Sequence, residues 1–389
     1  MPEIAEVARI VHFLNLRVVG KRIKTATAID DANVFGKVGT SGAEVESALK
    51  GRKIVSAGSQ GKYFWITLDK PPHLVMHFGM TGWMHIKGDR TAYTNYYKKM
   101  KESELDQWPP RFWKFHFTTD DKTPTEVAFT DARRFGRVRL VDCPGEEIRA
   151  HSPLKENGPD PVVDAEVFTE AYLRERMRAR HVPVKALLLD QTTLSGVGNW
   201  VADETLYQAK LHPEQYSDSF SDEEILTLWE NVRYVCQTAV DKLGDSDEFP
   251  DHWLFNYRWG KGDKGAATTL PNGEKLAFIT VGGRTSCYAP GIQKKTGSVP
   301  AGVKVEMAED GLDSVPKKKK QGRKKAEEEE PEVAPKKRKI KAEPEKNVSE
   351  TKKRASNAIK KEEKSSKVKA EPKPDVVDEG RRRSGRLRR

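Results

Sequence analysis

MPEIAEV (Met1–Val7) opens the chain, and ARIVHFL (Ala8–Leu14) follows it directly. Ile4, Val7, Val11 and Leu14 recur at the spacing of one buried helix face, with Ile10 beside them, so the spacing predicts an N-terminal helix. Glu3 and Glu6, three residues apart, lie together on another side of its first turn. Pro2 is small enough to allow removal of the initiator methionine, which leaves a secondary amine at the terminus. An α-amino group titrates near ~8, so a useful fraction is neutral at physiological pH. The positive end of a helix macrodipole further disfavours its ammonium form. A free amine beside two carboxylates has the parts for Schiff-base chemistry. The same residues also suit a plain acidic helix start.

Outward from this helix, the pattern turns to strands. Lys53–Ser56, Tyr63–Leu68, Leu74–His77, Trp83–Ile86, Phe112–Thr118, Glu126–Phe129 and Arg137–Val141 read as short strands separated by Gly, Pro and Asp clusters, as in a β-sandwich. The polar stretch Thr91–Trp108 reads as a surface loop. Helical texture begins near Ser152, with helices expected over Ala165–Arg178, Val184–Leu189, Trp200–Ala209 and Ser221–Leu243. Short aromatic strands and turns over 252–290 read as a hairpin module. Beyond Ala301 there is no Phe, Trp or Tyr, and such a segment buries too little apolar surface to offset its chain entropy. The expectation is an α+β chain: a catalytic helix and sandwich over 1–150, a helical domain over 151–250, a hairpin over 251–300 and a disordered basic tail over 301–389.

The net charge of +11 sits entirely in residues 301–389, and the first 300 residues are formally neutral. Global charge therefore says nothing about the folded part, and only local basic patches argue for nucleic acid there. Three widely spaced cysteines, Cys143, Cys236 and Cys287, fit a reducing compartment and cannot form a four-cysteine zinc site. No apolar run reaches the ~18 residues of a membrane span, and no signal-peptide core is visible at the terminus. These features point to a soluble intracellular protein.

Five further stretches carry candidate chemistry. Lys62 follows a glycine at a strand entry in QGKYF (Gln60–Phe64), a place for phosphate contact or simply a surface lysine. Met80 lies at a Gly-flanked turn in HFGMTGWMHI (His77–Ile86), where methionine serves as core filler or as an apolar wedge that enters a base stack. FTDARRFGRVRL (Phe129–Leu140) interleaves Arg133, Arg134 and Arg137 with Phe135, which suits phosphate binding and base stacking, or a hairpin with solvated charges. In LSGVGNW (Leu194–Trp200) the glycines free the backbone for close approach, and Asn199 is placed to cap the next helix. Free N–H groups at that helix start would hold a phosphate. A dinucleotide fingerprint is excluded there, because no third glycine follows and no strand precedes. Finally, VGGRTS (Val281–Ser286) sets Arg284 at a hairpin tip.

In order and identity, PEIAEV, QGKYF, HFGMTGWM, TDARRFGRVRL, LLLDQTTLSGVGNWVADETL and GGRTSCYAP resemble the formamidopyrimidine-DNA glycosylase/endonuclease VIII family of base-excision repair enzymes, from Pro2 to about Gly291. The resemblance implies a helix–two-turn–helix in the helical domain and a bifunctional glycosylase and lyase acting on oxidised bases in double-stranded DNA, as a monomer without cofactor. It implies Pro2 as the nucleophile on C1′, Glu3 as proton donor with Glu6 supporting it, and Lys62 at a phosphate assisting elimination. Met80, Arg133 and Phe135 would fill the gap left by the flipped nucleotide, and Asn199 and Arg284 would grip the flanking phosphates. Arg180 falls where bacterial members carry a DNA-binding lysine. A proton donor at a helix start meets an opposing field, since the macrodipole favours negative charge there. Two departures stand out. Ala5 replaces a usual proline, and residues 251–291 hold only Cys287 where bacterial relatives bind one zinc through four cysteines. The module therefore resembles the zincless finger of plant and fungal enzymes, with Trp253, Phe255, Tyr257, Trp259 and Tyr288 expected to replace the metal.

In the tail, PKKKKQGRKK (Pro316–Lys325) and PKKRKIK (Pro335–Lys341) have the form of nuclear-import signals, which implies an import receptor as partner and a nuclear location. RRRSGRLRR (Arg381–Arg389) is more basic still and suits a nonspecific DNA tether. A rival from another class is a noncatalytic damaged-DNA or chromatin binder, which has no need of the Pro2–Glu3 pair. Truncation after residue 300 is expected to preserve turnover while weakening nonspecific duplex binding and flattening its salt dependence, measured by fluorescence anisotropy. An inactive truncated protein would contradict the reading of the tail.

Overall fold

The computed structural model describes residues 2–92, 107–259, 261, 262, 265 and 267–296. The basic tail and most of the expected Thr91–Trp108 loop lie outside the described residues. The fold is α+β, as expected. Helix α1 spans Ile4–Arg17. Strand β1 (Ile23–Ala28) and helix α2 (Gly42–Leu49) follow. Neither was anticipated: IKTATA has too few apolar residues to read as a strand, and it lies at the edge of its sheet beside β6. Helix α2 does carry a signal, a capping box in which Ser41 and Glu44 satisfy one another's backbone N–H groups.

Seven further strands build the sandwich: β2 (Ile54–Gln60), β3 (Tyr63–Leu68), β4 (His73–His77), β5 (Trp83–Ile86), β6 (Trp113–Thr119), β7 (Glu126–Thr130) and β8 (Arg137–Val141). They form two antiparallel four-stranded sheets, ordered β1-β6-β7-β5 and β2-β3-β4-β8. Strand β3 is buried on both faces. Phe64, Ile66 and Leu68 enter the core between the sheets, while Trp65 joins a second cluster with Val75, Cys143, Ile148 and Leu154. The two-residue period of a strand divides its apolar residues between two cores.

The helical region contains α3 (Glu170–Arg178), α4 (Val184–Leu189), α5 (Asn199–Gln208) and α6 (Asp222–Asp241). Helix α3 starts five residues later than its pattern suggested, because the Thr169 side chain accepts from the Tyr172 N–H and caps it there. The hairpin module contains two strands, β9 (Ala277–Val281) and β10 (Arg284–Tyr288).

Helix α1 serves both large cores. Val7, Ile10 and Leu14 pack into the sandwich, whereas Ile4 and Ala5 pack among α3–α6. Arg9 on the same helix is buried and donates to the carbonyls of Arg90, Thr91 and Leu243, tying the β5 side to the end of α6. The first turn of α1 is thereby held between sandwich and helices, which sets the position of Pro2 and Glu3.

Candidate active site

Three chain segments meet backbone to backbone at the start of α1. The Ile4 N–H donates to the Gly196 carbonyl at 3.2 Å. Gly61, in the β2–β3 turn, has φ +59, and a Cβ there would lie 2.6 Å from the Gly196 nitrogen. That turn is fixed from outside: the Gly61 N–H donates to Asp160 at 2.7 Å, and Gln60 accepts from Arg149 at 3.2 Å. The backbone that leads into Lys62 is therefore held by hydrogen bonds from outside the turn.

Glu3 is buried at 2% exposure, and its two oxygens accept from the backbone N–H groups of Trp200 at 3.2 Å and Val201 at 3.1 Å. The N-terminus of α5 is thus occupied by a protein carboxylate. This corrects two expectations. Free N–H groups do not await a phosphate there, and Asn199 is not the cap: Gly198 is the N-cap and Asn199 the first helical residue. Glycine is needed at 198, since a Cβ would lie 2.1 Å from the Glu3 carboxyl carbon. Asn199 instead donates to the Thr285 carbonyl at 3.0 Å, joining α5 to β10 beside Arg284.

Glu6 accepts from the Glu3 N–H at 2.9 Å. Burial, and then the neighbouring Glu3 charge, raise its pKa to about 7. Lys62 is 9% exposed; burial lowers its pKa, the Glu3 and Glu6 carboxylates oppose that shift, and the Arg284 guanidinium adds to it. Two acids and two bases thus share one field around the first turn of α1, with Pro2 buried at its start. Of these groups Glu6 is the one whose raised pKa lets it take up and release a proton near neutral pH. Sequence reading passed over His77, which pairs with Tyr63 across β3–β4 and carries no charge at neutral pH, as burial and then Lys62 push its pKa down to about 4. An isolated histidine at a strand end carries no signal of this environment.

Met80, Arg133 and Phe135 come together on a neighbouring pair of loops. Met80 is half-buried on the β4–β5 turn, three residues past His77. A Cβ on Gly79 would lie 2.4 Å from the Phe135 backbone, so the loops touch. Phe135 is 47% exposed, with the Arg133 guanidinium 5.0 Å from its ring centre. Between them Arg134 adopts φ 59, and its guanidinium pairs with Asp31 at 2.9 Å. Lys114 also reaches Asp31, and although burial pushes that carboxyl up, the two cations hold it well below the usual range. Asp131 accepts from Thr81, Arg133 N and Gly136 N and completes the brace. Arg134 looked equivalent to Arg133 in sequence, but it anchors the loop while its neighbour faces outward. Arg180 is exposed and pairs with Asp190 at 2.5 Å and Thr193 at 3.2 Å, on the rim of the Leu194–Trp200 turn. Among the described residues, no group of three or more His, Cys, Asp or Glu is placed to hold a metal ion.

Comparison with known proteins gives two family models: a formamidopyrimidine-DNA glycosylase N-terminal domain over residues 1–138 and a formamidopyrimidine-DNA glycosylase H2TH domain over residues 157–250. A formamidopyrimidine-DNA glycosylase of Arabidopsis thaliana is 37% identical over 80% of this chain and 76% of its own length. One of Bacillus subtilis is 32% identical over 76% of this chain and all of its own. The fold is similar to that of Lactococcus lactis formamidopyrimidine-DNA glycosylase bound non-covalently to DNA containing an AP site, with a TM-score of 0.60 and 25% identity over 75% of this chain and all of that one. A complex of the same bacterial protein with DNA containing an abasic site aligns with the same TM-score of 0.60, again at 25% identity over 75% of this chain and all of that one.

Glu6 has a pH signature. Between its ordinary 4.5 and about 7 the folded protein holds a proton that the unfolded chain has released. Its contribution to stability is fully present below that window and is lost as pH rises through it. Glu6→Gln is expected to flatten the stability curve across the window by on the order of 1–3 kcal/mol, read from urea midpoints at about pH 5 and about pH 8. An unchanged slope would contradict the assignment.

Proposed function

This chain belongs to the formamidopyrimidine-DNA glycosylase family, and from that premise we infer a bifunctional DNA glycosylase and abasic-site lyase that removes oxidised bases from duplex DNA. The substrates are formamidopyrimidines and 8-oxoguanine or its hydantoin products. The observation that carries this reading is the Glu3 carboxylate on the α5 N-terminus, which sets the Pro2–Glu3 pair beside Lys62 and within the field of Arg284.

C1′ is inaccessible inside an intact duplex, so the damaged nucleotide is flipped out first. Met80, Arg133 and Phe135 fill the gap; the exposed Phe135 ring stacks on a base and Arg133 lies over that ring. Asn199 and Arg284 hold the flanking phosphates, and Arg180 adds a contact at the rim. Removal of Met1 frees the Pro2 nitrogen, whose lone pair attacks C1′ while the base departs with its bonding electrons and receives a proton. The Pro2 nitrogen then gives up its proton, and its lone pair opens the sugar ring as O4′ takes a proton, giving an iminium on Pro2. Glu3 passes these protons, and Glu6, with its pKa near neutrality, is the reservoir beside it. The iminium acidifies the C2′ proton, whose loss expels the 3′ phosphate; a second elimination expels the 5′ phosphate. Lys62, its ammonium destabilised by burial, exchanges protons during these eliminations. Hydrolysis of the iminium then restores the amine.

The protein acts as a monomer, and the basic runs Pro316–Lys325 and Pro335–Lys341 carry it into the nucleus through an import receptor. Deleting both runs is expected to move a fluorescent fusion out of the nucleus, and an unmoved fusion would contradict the import reading. Borohydride reduction during reaction with a lesion duplex is expected to trap a covalent adduct with wild type. Pro2→Gly, or retention of Met1, should cut trapping by more than about 100-fold. A wild type that traps no abasic or oxidised substrate is a binder and not an enzyme.

A further inference from the structure

The zinc site of bacterial relatives does not fit this finger. Cys287 is its one cysteine, is buried, and has its thiol pushed up to about 12, chiefly by burial. The aromatic residues expected to replace the metal mostly do something else. Trp253 is buried in the helical core, Phe255 packs edge-on to Trp200 at 4.9 Å, and Tyr288 contacts His212. Trp259 is 53% exposed. Tyr257 does join the module's own apolar cluster, with Leu254, Leu270, Cys287 and Ala289, whereas Trp253, Phe255 and Tyr288 dock the module onto the helices.

A buried charge cluster reaches that tip. Asp203 on α5 has a fully buried side chain. One of its oxygens accepts from Lys185 Nζ at 2.5 Å, and the other accepts from Arg258 at 2.6 Å and from the Cys287 N–H at 3.1 Å. Lys185 on α4, also fully buried, donates to the Ser286 hydroxyl at 2.6 Å and the Thr285 carbonyl at 3.4 Å. Asn199 holds that same carbonyl. The three residues that follow Arg284 are therefore each gripped by a side chain of the helical domain. On the other side of the tip, a Cβ on Gly282 would lie 3.2 Å from Ala186. The next residue of α5, Glu204, accepts from the Leu254 and Phe255 N–H groups and secures the module's entry.

We propose that Asp203, Lys185 and Arg258 are positioning residues that stand in for the absent metal and fix the Arg284 hairpin over the site. A buried ion network is a poor way to add stability, because desolvation offsets much of the attraction. What it supplies here is geometry: a guanidinium at a hairpin tip becomes a fixed phosphate clamp. The inference rests on the reading that Arg284 grips the phosphate beside the lesion.

A double-mutant cycle tests it, using full-length protein and a duplex with a tetrahydrofuran abasic analogue, read by anisotropy. Asp203→Asn makes the protein one charge more positive, so simple electrostatics predicts tighter binding. The proposal predicts the reverse: weakening of about ten-fold, similar to Arg284→Ala, with less than about two-fold further loss in the double variant. The slope of log Kd against log salt should fall by roughly one contact in each single variant. Ser286→Ala, which leaves no buried charge unpaired, should show the same non-additivity and serves if Asp203→Asn does not fold. Multiplying effects, or unweakened binding, would overturn the proposal. If wild type still traps abasic DNA in that case, only this inference fails; if wild type traps none, the enzymatic reading falls and takes this inference with it.

Discussion

The Glu3 carboxylate rests on the first turn of α5, nearly two hundred residues away in sequence, and the site follows from that contact. A helix N-terminus leaves N–H groups without partners, and a carboxylate is a strong answer to them. The two elements approach so closely that no side chain fits at Gly198. Gly196 and Gly61 extend the same constraint, letting the helical turn and the β2–β3 turn lie against the start of α1. The reactive terminus, the lysine-bearing turn and the helical domain are thus mutually fixed before any DNA arrives, which is the preorganisation that positions reacting groups.

Charge is divided between chemistry and bracing. Glu3 accepts from the first turn of α5, and beside it the half-buried Glu6 has its pKa raised to about 7. Burial makes the Lys62 ammonium easier to deprotonate than a surface lysine's; the Arg284 guanidinium adds to this, and the Glu3 and Glu6 carboxylates oppose it. Away from this centre the ion pairs are structural. Asp31 with Arg134 and Lys114 braces the Phe135 loop, and Asp203 with Lys185 and Arg258 braces the Arg284 hairpin. In both places the segment that carries a DNA-contacting arginine of the proposed function is braced by charged groups that do not touch DNA.

Much of the architecture could be read from the chain, because most of its strands and helices carry local signals: alternation, apolar periodicity and caps. Strand β3 and helix α4 run over the expected residues, and α6 starts where expected, capped by Ser221 in a Ser-x-x-Glu box. Strand β1 was missed because an edge strand of Lys and Thr has little to bury. The residues of the proposed reactive centre were legible as types, an amine and two acids, but not as a geometry. That Glu3 would cap a helix in another part of the fold, and displace Asn199 from that role, depends on tertiary contact alone. The same is true of Asp203 and Lys185, whose side chains look like ordinary polar positions on helices until the hairpin closes over them.

In the proposed mechanism the Pro2 nitrogen, and not the amine of Lys62, is the attacking group. Peptide mass mapping of the borohydride-reduced adduct decides this directly. The reduced sugar is expected on the N-terminal peptide, at Pro2, in protein that has lost Met1. A sugar found on Lys62 would contradict it.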